Sequence, residues 1–507
     1  MINDVVTHVR HLVNSFHVTV RIPPEILTMI CSYLATEEDA FSAAQVCHHW
    51  RGVLVSSPSL WTRFPCRHVP RTIISLERCK SMPIQLDFHR ESSSVALEKV
   101  LLHGDRIASL TIHHRLDQIP LLHQLFTSSR PSVEQLHIFC QKRSGWKPNE
   151  RTAHEIWQDL PRLRQLFVRR YSIPIHQLAA PNLVHLVLEE AGHHRNITVQ
   201  SVLDALHRCP LLETLFISLF HVGRDPTRDH SPVSLPHLRS IELGPDEVRS
   251  GLTTHLQFPP NVAVGFRMLF AADVCGNTPP AVMATMQHVL RRIDIRCITL
   301  AVPLNPTGDA GLLVRFDGLC GSLEITTYAV DTWRKTRSVF FGPKGVLFSH
   351  SPNIENVREL HIVGCPFGGD QGLLCASAAM PNLVSISFFH CKELHAFGLL
   401  TPANPSLPPF PHVEQIMVLG PDSGLREMVK TRRDCGVPLK TLVVGRGSGS
   451  ECDHLEDYTA LEDFVDDLRI GCPTEILEWG TENEILNIWS TIEIPCPVSP
   501  LELMVLG

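Results

Sequence analysis

One short phrase recurs along this chain of 507 residues and limits the folds that the chain can adopt. Each copy begins with proline, continues with leucine or valine, and ends with two apolar residues separated by one variable residue. This alternation is typical of a β-strand with one buried face, and the proline ends any preceding helix. The copies that carry the proline begin at Pro131, Pro161, Pro181, Pro210, Pro236, Pro381 and Pro411.

The segments between the copies predict helices, as in residues 149–160 and 197–209. A unit of one helix, one loop and one strand cannot bury its own apolar face, so neighbouring units must stack. The spacing of roughly 20 to 30 residues is similar to that of leucine-rich repeats. We therefore predict the α/β class, as an irregular leucine-rich-repeat-like solenoid; an unrelated α/β domain is the alternative. Weaker copies of the phrase begin at Arg106, Val357 and Leu439.

The phrase fades between about residues 250 and 350. Residues 294–302 and 322–330 still have strand patterns in this region, and the segment between them, rich in proline and glycine, predicts a loop. We therefore expect a solenoid over residues 69–470 that is broken or decorated in its middle. Residues 471–507 would form a C-terminal segment or cap.

The N-terminal region has a helical pattern instead. Pro23 and Pro24 suit the first turn of a helix, where the missing N–H costs nothing, and Glu25 complements the positive end of the helix dipole. Ile26 and Ile30 continue the pattern at a spacing of four residues, which predicts an apolar stripe.

A second helix is expected at Thr36, because Asp39 follows three residues later as in a capping box. Apolar residues then continue at helical spacing to Leu54, and Ser57–Pro58 interrupts the pattern. Two or three short helices bury little surface alone, so this region needs a neighbour in the chain or another protein.

Residues 20–68 resemble an F-box, in the form common in large fungal protein families. The resemblance rests on Ile22–Leu27, Val46–Cys47, Trp50–Arg51 and the ending Pro58–Trp61. It departs from the usual pattern at Ile22, where leucine is common, and at Ala40–Phe41 after the aspartate; a generic helical hairpin is the alternative. The family docks on a Skp-type adaptor and, through it, on a cullin–RING (SCF) ubiquitin ligase. The adaptor contacts that the resemblance implies are Ile22, Pro23, Pro24, Glu25, Ile26, Leu27, Ile30, Val46 and Trp50.

F-box proteins of this form act as substrate receptors, so the resemblance implies that the solenoid binds a target protein. In each strand, the residues that alternate with the buried ones should face outward. This outward set mixes aromatic and charged side chains, as protein interfaces do, unless a loop or the C-terminal segment covers it. The candidates for target binding are His137, Phe139, Phe167, Arg169, His185, Glu189 and Phe216.

Composition argues against several other classes of protein. The net charge of −7 disfavours general binding to nucleic acids or anionic membranes. No apolar run reaches the roughly 18 residues that span a bilayer, and the N-terminal extension, residues 1–19, lacks the pattern of a signal peptide. The 16 cysteines include no CxxC pair, which favours reduced thiols and a cytoplasmic or nuclear location.

Motifs for catalysis or metal binding are weak. Gly445–Ser450 follows a strand but lacks the lysine of a phosphate-binding loop, so a surface turn is expected. His390, Cys391 and His395 have no evident fourth zinc ligand. We therefore expect no enzyme activity, metal or cofactor. A non-degradative F-box scaffold and, with less support, an enzyme with its site in residues 250–350 are the alternatives.

Overall fold

The computed structural model divides the chain into two units, Met1–His237 and Leu238–Gly507. None of the described helices has the length and apolar character needed to cross a membrane. The residues that the structure describes are 5–6, 21–33, 37–64, 66–89, 92–114, 132–140, 160–171, 173, 175–190, 197–219, 230–268, 280–301, 311–328, 353–363, 379–389, 400, 410–419, 424–445 and 460–471.

The first unit begins with short helices, as the sequence predicts, and continues with strands. Its helices are α1 (Pro24–Ser32), α2 (Glu37–Ala43), α3 (His48–Ser56), α4 (Val69–Arg78), α5 (Ser94–Leu101) and α6 (Val199–His207). Its strands are β1 (Arg63–Phe64), β2 (Ile84–Phe88), β3 (Ile107–His114), β4 (Gln135–Cys140), β5 (Gln165–Arg169), β6 (His185–Glu189), β7 (Thr214–Ser218) and β8 (Val233–Ser234). Thr36, the predicted cap of the second helix, lies outside the described residues.

Strands β1 to β7 are parallel neighbours in chain order. The repeated phrase forms the strands from β4 to β7, and one backbone contact recurs where each copy enters its strand. The backbone N–H of Gln165 donates to the backbone carbonyl oxygen of Glu134 on the preceding copy, at 2.9 Å. The backbone N–H of His185 donates to the backbone carbonyl oxygen of Arg164 in the same way, at 2.9 Å. This repeated bond fixes the register of neighbouring copies.

The register stacks leucines into a buried row that runs across the sheet. Leu136, Leu166, Leu186 and Leu215 are direct neighbours on β4 to β7, and all are buried. Helix α6 confirms the helix predicted before Pro210. Its N-terminus has a capping box between Thr198 and Ser201, which satisfies two backbone N–H groups.

The second unit contains a longer sheet. The strands of this unit are β9 (Ser240–Leu243), β10 (Leu256–Gln257), β11 (Ala263–Met268), β12 (Ile295–Ala301), β13 (Gly311–Gly318), β14 (Ser322–Tyr328), β15 (Glu359–Val363), β16 (Ser385–Phe389), β17 (Gln415–Leu419), β18 (Leu439–Gly445) and β19 (Val465–Gly471), and all of them except β10 belong to the longer sheet. Its helices are α7 (Pro245–Ser250), α8 (Pro280–Leu290) and α9 (Leu425–Asp434).

The order of this sheet departs from chain order where the phrase fades. Strand β11 pairs with β14, β14 with β13, β13 with β12 and β12 with β15, after which β15 to β19 follow in order. Strand β13 is antiparallel to both neighbours, and the other pairings are parallel. The strands predicted within residues 294–302 and 322–330 are confirmed as β12 and β14.

The α/β class is confirmed, with mostly parallel pairing and short N-terminal helices. The described strands do not form a closed solenoid, and a leucine-rich-repeat-like array stays a prediction. Residues 472–507 of the predicted C-terminal segment and residues 149–159 of the helix predicted before Pro161 lie outside the described residues.

Candidate protein-binding surfaces

The N-terminal helices are held together around Trp61, which is buried. Its indole Nε1 donates a hydrogen bond to the carbonyl oxygen of Leu54, at 2.7 Å, and its ring meets that of Phe41 edge-on, with centroids 5.0 Å apart. The guanidinium of Arg78, on α4, lies 4.3 Å from the Trp61 ring centroid. Trp61 therefore joins the helical region to the element that follows it.

Helix α1 buries one side against this core. Leu27 and Cys31, one turn apart, are the buried residues of the helix. Leu27, one of the predicted adaptor contacts, has a fully buried side chain in the free chain. Positions 27 and 31 form the inward side of α1, and the accessible surface of the helix lies at its other positions.

The opposite side of α1 exposes apolar residues. Ile26, Met29, Ile30 and Tyr33, which we call the α1 stripe, are between 43% and 83% exposed. They are spaced three or four residues apart, so they share one face of the helix. Clustered apolar surface of this kind marks an interaction site more often than singly scattered residues do. Sequence reasoning missed Met29 and Tyr33, although their spacing from Ile26 and Ile30 carried the signal.

The other predicted adaptor contacts surround the start of α1 or lie near α3. Pro23, Pro24, Glu25 and Val46 are exposed, and Ile22 and Trp50 are partly buried. The segment before α1 is fixed in place by a hydrogen bond between the His49 ring and the carbonyl oxygen of Ile22, at 3.1 Å. Trp50 lies in the first turn of α3, where its backbone N–H donates to the sulfur of the N-cap residue Cys47, at 3.4 Å.

The segment that contains these short helices is similar to a known family. The model of the F-box-like family matches residues 19–67. This segment is an F-box-like domain. The match confirms the F-box resemblance. No curated protein matches the chain.

The sheet of the first unit has a second face, opposite the leucine row. Its side chains form two rows across neighbouring strands, which we call the outer rows. The first row runs through Asp87, Thr111, His137, Phe167, Val187 and Phe216, and the second through His113, Phe139, Arg169, Glu189 and Ser218. The sequence-predicted target-binding residues lie in these rows, except His185, which lies in the neighbouring row with Gln165 and Thr214.

The prediction that Phe167 and Phe216 are exposed is wrong. They are 7% and 4% exposed, and Val187 between them is buried as well. Parallel strands lie roughly 4.8 Å apart, so large side chains in register shield one another. The Phe167 ring lies 4.7 Å from that of Phe139 and 5.9 Å from that of His137, centroid to centroid. Both faces of the sheet are therefore buried at Phe167.

Rings form a continuous ladder toward β2. The His113 and Phe139 rings are stacked with centroids 4.8 Å apart, and His89, directly after β2, stacks on His113 at 4.6 Å. These three side chains are partly exposed, in contrast to Phe167. The accessible part of the outer rows is therefore the edge near β2 to β4, together with Arg169 and Glu189.

Three histidines of this face, His113, His137 and His185, have pKa values shifted toward the neutral form. Burial lowers the pKa of His137, which the charge of Asp87 partly offsets. Burial also lowers the pKa of His113 and of His185. These imidazoles are therefore neutral at pH 7, and the face offers aromatic and hydrogen-bonding surface rather than positive charge.

Arg169 and Glu189 add opposite charges beside the buried rings. Their side chains form an ion pair, with 3.2 Å between the Arg169 Nε and a Glu189 carboxylate oxygen. They are direct neighbours on β5 and β6, and both are partly buried. The pair therefore adds polar surface to the outer rows at β5 and β6, beside the buried side chains of Phe167 and Val187.

Two clusters among the described residues could hold a metal ion: Asp87 with His89 and His113, and Cys297 with Glu359 and His361. In the first cluster, the His89 Nε2 lies 3.0 Å from an Asp87 oxygen, so these two side chains already pair. The zinc candidates from the sequence, His390, Cys391 and His395, lie outside the described residues. Residues 446–450 of the glycine-rich turn lie outside them as well.

Proposed function

We propose that the chain is a substrate-recognition subunit of an SCF-type cullin–RING ubiquitin ligase, acting in the cytoplasm, the nucleus or both. The F-box-like domain binds a Skp-type adaptor, and the strand array binds a target protein. The observation that carries the proposal is the α1 stripe, an exposed apolar helix face within the segment that matches the F-box-like family.

The α1 stripe suits a protein partner because of its shape and composition. Aliphatic, thioether and phenol side chains cover one helix face, and an apolar helix face binds in the groove of another protein. Pro23 and Pro24 fix the start of this helix, so little backbone entropy is lost on binding. The buried side chains of Leu27 and Cys31 hold α1 against the core of the F-box-like domain, which fixes the orientation of the α1 stripe.

The strand array provides the second binding surface. Copies of the phrase lie side by side in register, as the units of a leucine-rich-repeat-like solenoid would. The partly exposed residues His137, Phe139, Arg169, His185 and Glu189 are the target-binding candidates that remain accessible. With the adaptor bound at one end and a target at the other, the chain raises the local concentration of target lysines near the ubiquitin-loaded enzyme. It performs no bond chemistry itself.

The test is a reconstituted ligase. The chain is combined with the Skp-type adaptor, the cullin–RING core and the ubiquitin-activating and conjugating enzymes, and with proteins that co-purify with the chain. Ubiquitin transfer to a co-purified protein, lost in the double variant Ile26→Asp/Ile30→Asp, supports the proposal. Adaptor binding without transfer to any captured protein would instead indicate a non-degradative scaffold.

A matched control separates docking from a general effect of charge. Val95 and Leu102 are also exposed apolar residues of the first unit, in α5 and directly after it. The double variant Val95→Asp/Leu102→Asp introduces the same charge outside the F-box-like domain. It should support ubiquitin transfer at the wild-type rate.

A further inference from the structure

The second unit contains a cluster of side chains that the proposed function does not use. Strands β12 and β15 are parallel neighbours, and their register places Cys297 directly beside Glu359. His361 follows two residues after Glu359, so its side chain lies on the same face of the sheet. One potential ligand atom from each of the three residues lies within 4.8 Å of the others, and the His361 Nε2 is 3.6 Å from a Glu359 oxygen.

The cluster is closed on one side and open on the other. Cys297 and His361 are buried, whereas the Glu359 side chain is 43% exposed and gives access from solvent. The Nδ1 of His361 is buried without a hydrogen-bond partner, and so is the Oγ1 of Thr299. Thr299 lies directly beside His361 in the register. Unpaired buried polar atoms are costly, and here they adjoin a set of three potential ligands.

The chemistry of the three side chains selects the ion. A thiolate, an imidazole and a carboxylate are the three ligand types of protein zinc sites, whereas calcium and magnesium prefer oxygen ligands alone. With bonds of about 2.0 to 2.3 Å to zinc, the ligand atoms of a tetrahedral site lie roughly 3.5 Å apart. The ligand atoms of the cluster, all within 4.8 Å of one another, would move closer together to reach that spacing when an ion binds.

The positive charge of Arg315, beside this cluster, does not oppose a bound zinc ion, because Arg315 is paired with a carboxylate. Arg315, which lies beside Thr299 on β13, donates to Asp317 at 2.8 Å, and Asp317 is the β13 neighbour of Cys297. The Cys297 thiol would lose its proton when a metal binds.

We propose that Cys297, Glu359 and His361 form a zinc-binding site with an open fourth position. The ion ties β12 to β15, two strands that are far apart in the chain and adjoin the part of the sheet that departs from chain order. Sequence spacing hides such a site, because its ligands come together only through strand pairing.

The test uses the full-length chain, cleared of metal with a chelator and then titrated with Zn²⁺ or Co²⁺. Cys297→Ser and His361→Ala should each lose one zinc equivalent or weaken its binding at least about 100-fold, because changes at the hydrogen-bond partners of a ligand already cost about 10- to 100-fold. Co²⁺ should give a thiolate-to-metal absorption band that Cys297→Ser lacks. Cys320→Ser, which alters an exposed cysteine of the same unit, is the matched control and should keep both zinc and the band.

Two results would overturn the proposal: no zinc binding by the wild-type chain, or equal zinc content and cobalt absorption in wild type and Cys297→Ser. Since loss of a buried thiol could disturb folding, Glu359→Gln provides a second variant. Because the Glu359 side chain is partly exposed, the melting temperature of the zinc-free Glu359→Gln variant should equal that of the zinc-free wild type. Its zinc affinity and its zinc-dependent rise in melting temperature should both fall, and an unchanged affinity would overturn the proposal whatever Cys297→Ser does.

Discussion

The α1 stripe and the outer rows of the first sheet both carry apolar side chains that alternate with core residues, but only the stripe is exposed. Ile26 and Ile30 stand on a single short helix with neighbours on one side. Phe167 stands between two parallel strands, and the rings of His137 and Phe139 lie against it. On a helix with neighbours on one side only, a residue that faces away from the core is therefore exposed. In a sheet, the exposure of such a residue depends on the side chains of the neighbouring strands.

The largest effect that tests this comparison is on adaptor binding. Ile26→Asp together with Ile30→Asp would bury two unpaired charges in an apolar interface, which costs several kcal/mol. We expect the affinity for a Skp-type adaptor to fall at least about 1,000-fold, with an unchanged melting temperature. Calorimetric titration with the purified adaptor measures the affinity.

Leu27→Ala is the contrasting variant within the same helix. The Leu27 side chain lies in the core of the F-box-like domain, so the truncation should destabilise that domain by about 2 to 5 kcal/mol through the cavity that it leaves. Full adaptor affinity of the double aspartate variant, or a loss of stability equal to that of Leu27→Ala, would place the stripe outside the interface.

The second prediction concerns the buried ring of the outer rows. Phe167→Ala should destabilise the first unit by about 3 kcal/mol, as large-to-small changes in a core do. Phe139→Ala, which removes the same ring one strand away from a partly exposed position, should cost clearly less. Denaturant unfolding followed by circular dichroism compares the two. Equal costs would show that the difference in burial between β4 and β5 does not determine stability.

Much of the fold could be predicted from the sequence, because strand alternation and helix caps depend on local residues. The phrase beginning at Pro161 predicted both β5 and the burial of Leu166. The burial of Phe167 could not be predicted, since it depends on which rings stand beside it on β4. The cluster of Cys297, Glu359 and His361 was hidden for a related reason, because β13 and β14 separate β12 from β15 in the chain.

The F-box-like domain shows how far a local motif can reach. The resemblance at residues 22–27 identified the segment, and the family match confirms it. It did not separate Leu27, which packs inward, from Ile26, which is exposed. That distinction requires the position of α3 against α1, which no short motif encodes.

The third prediction uses pH to probe the shielding of the outer rows. Burial holds the pKa of His137 below its ordinary value of 6.5, with Asp87 raising it and His113 lowering it. Below that ordinary value the unfolded chain binds more protons than the folded one, so stability should fall as the pH drops from about 7.5 to about 5.5. His137→Gln should make this fall shallower, whereas a change at the exposed His176 should not. Identical pH profiles for wild type and His137→Gln would contradict the shielding of this ring.

The smallest effect is expected for the Arg169–Glu189 pair, and it locates the boundary between core and binding surface. Both side chains are partly exposed and lie one strand or more beyond the Phe139 ring. An ion pair between partly exposed side chains contributes about 0.2 to 1 kcal/mol, and salt weakens it. A double-mutant cycle with Arg169→Ala and Glu189→Ala should therefore give a coupling energy in that range, which shrinks in high salt. A coupling above about 2 kcal/mol that salt does not change would mean that the pair is dehydrated like Phe167. The accessible part of the outer rows would then end at β4, and a target protein would have to bind near His113 and Phe139 instead.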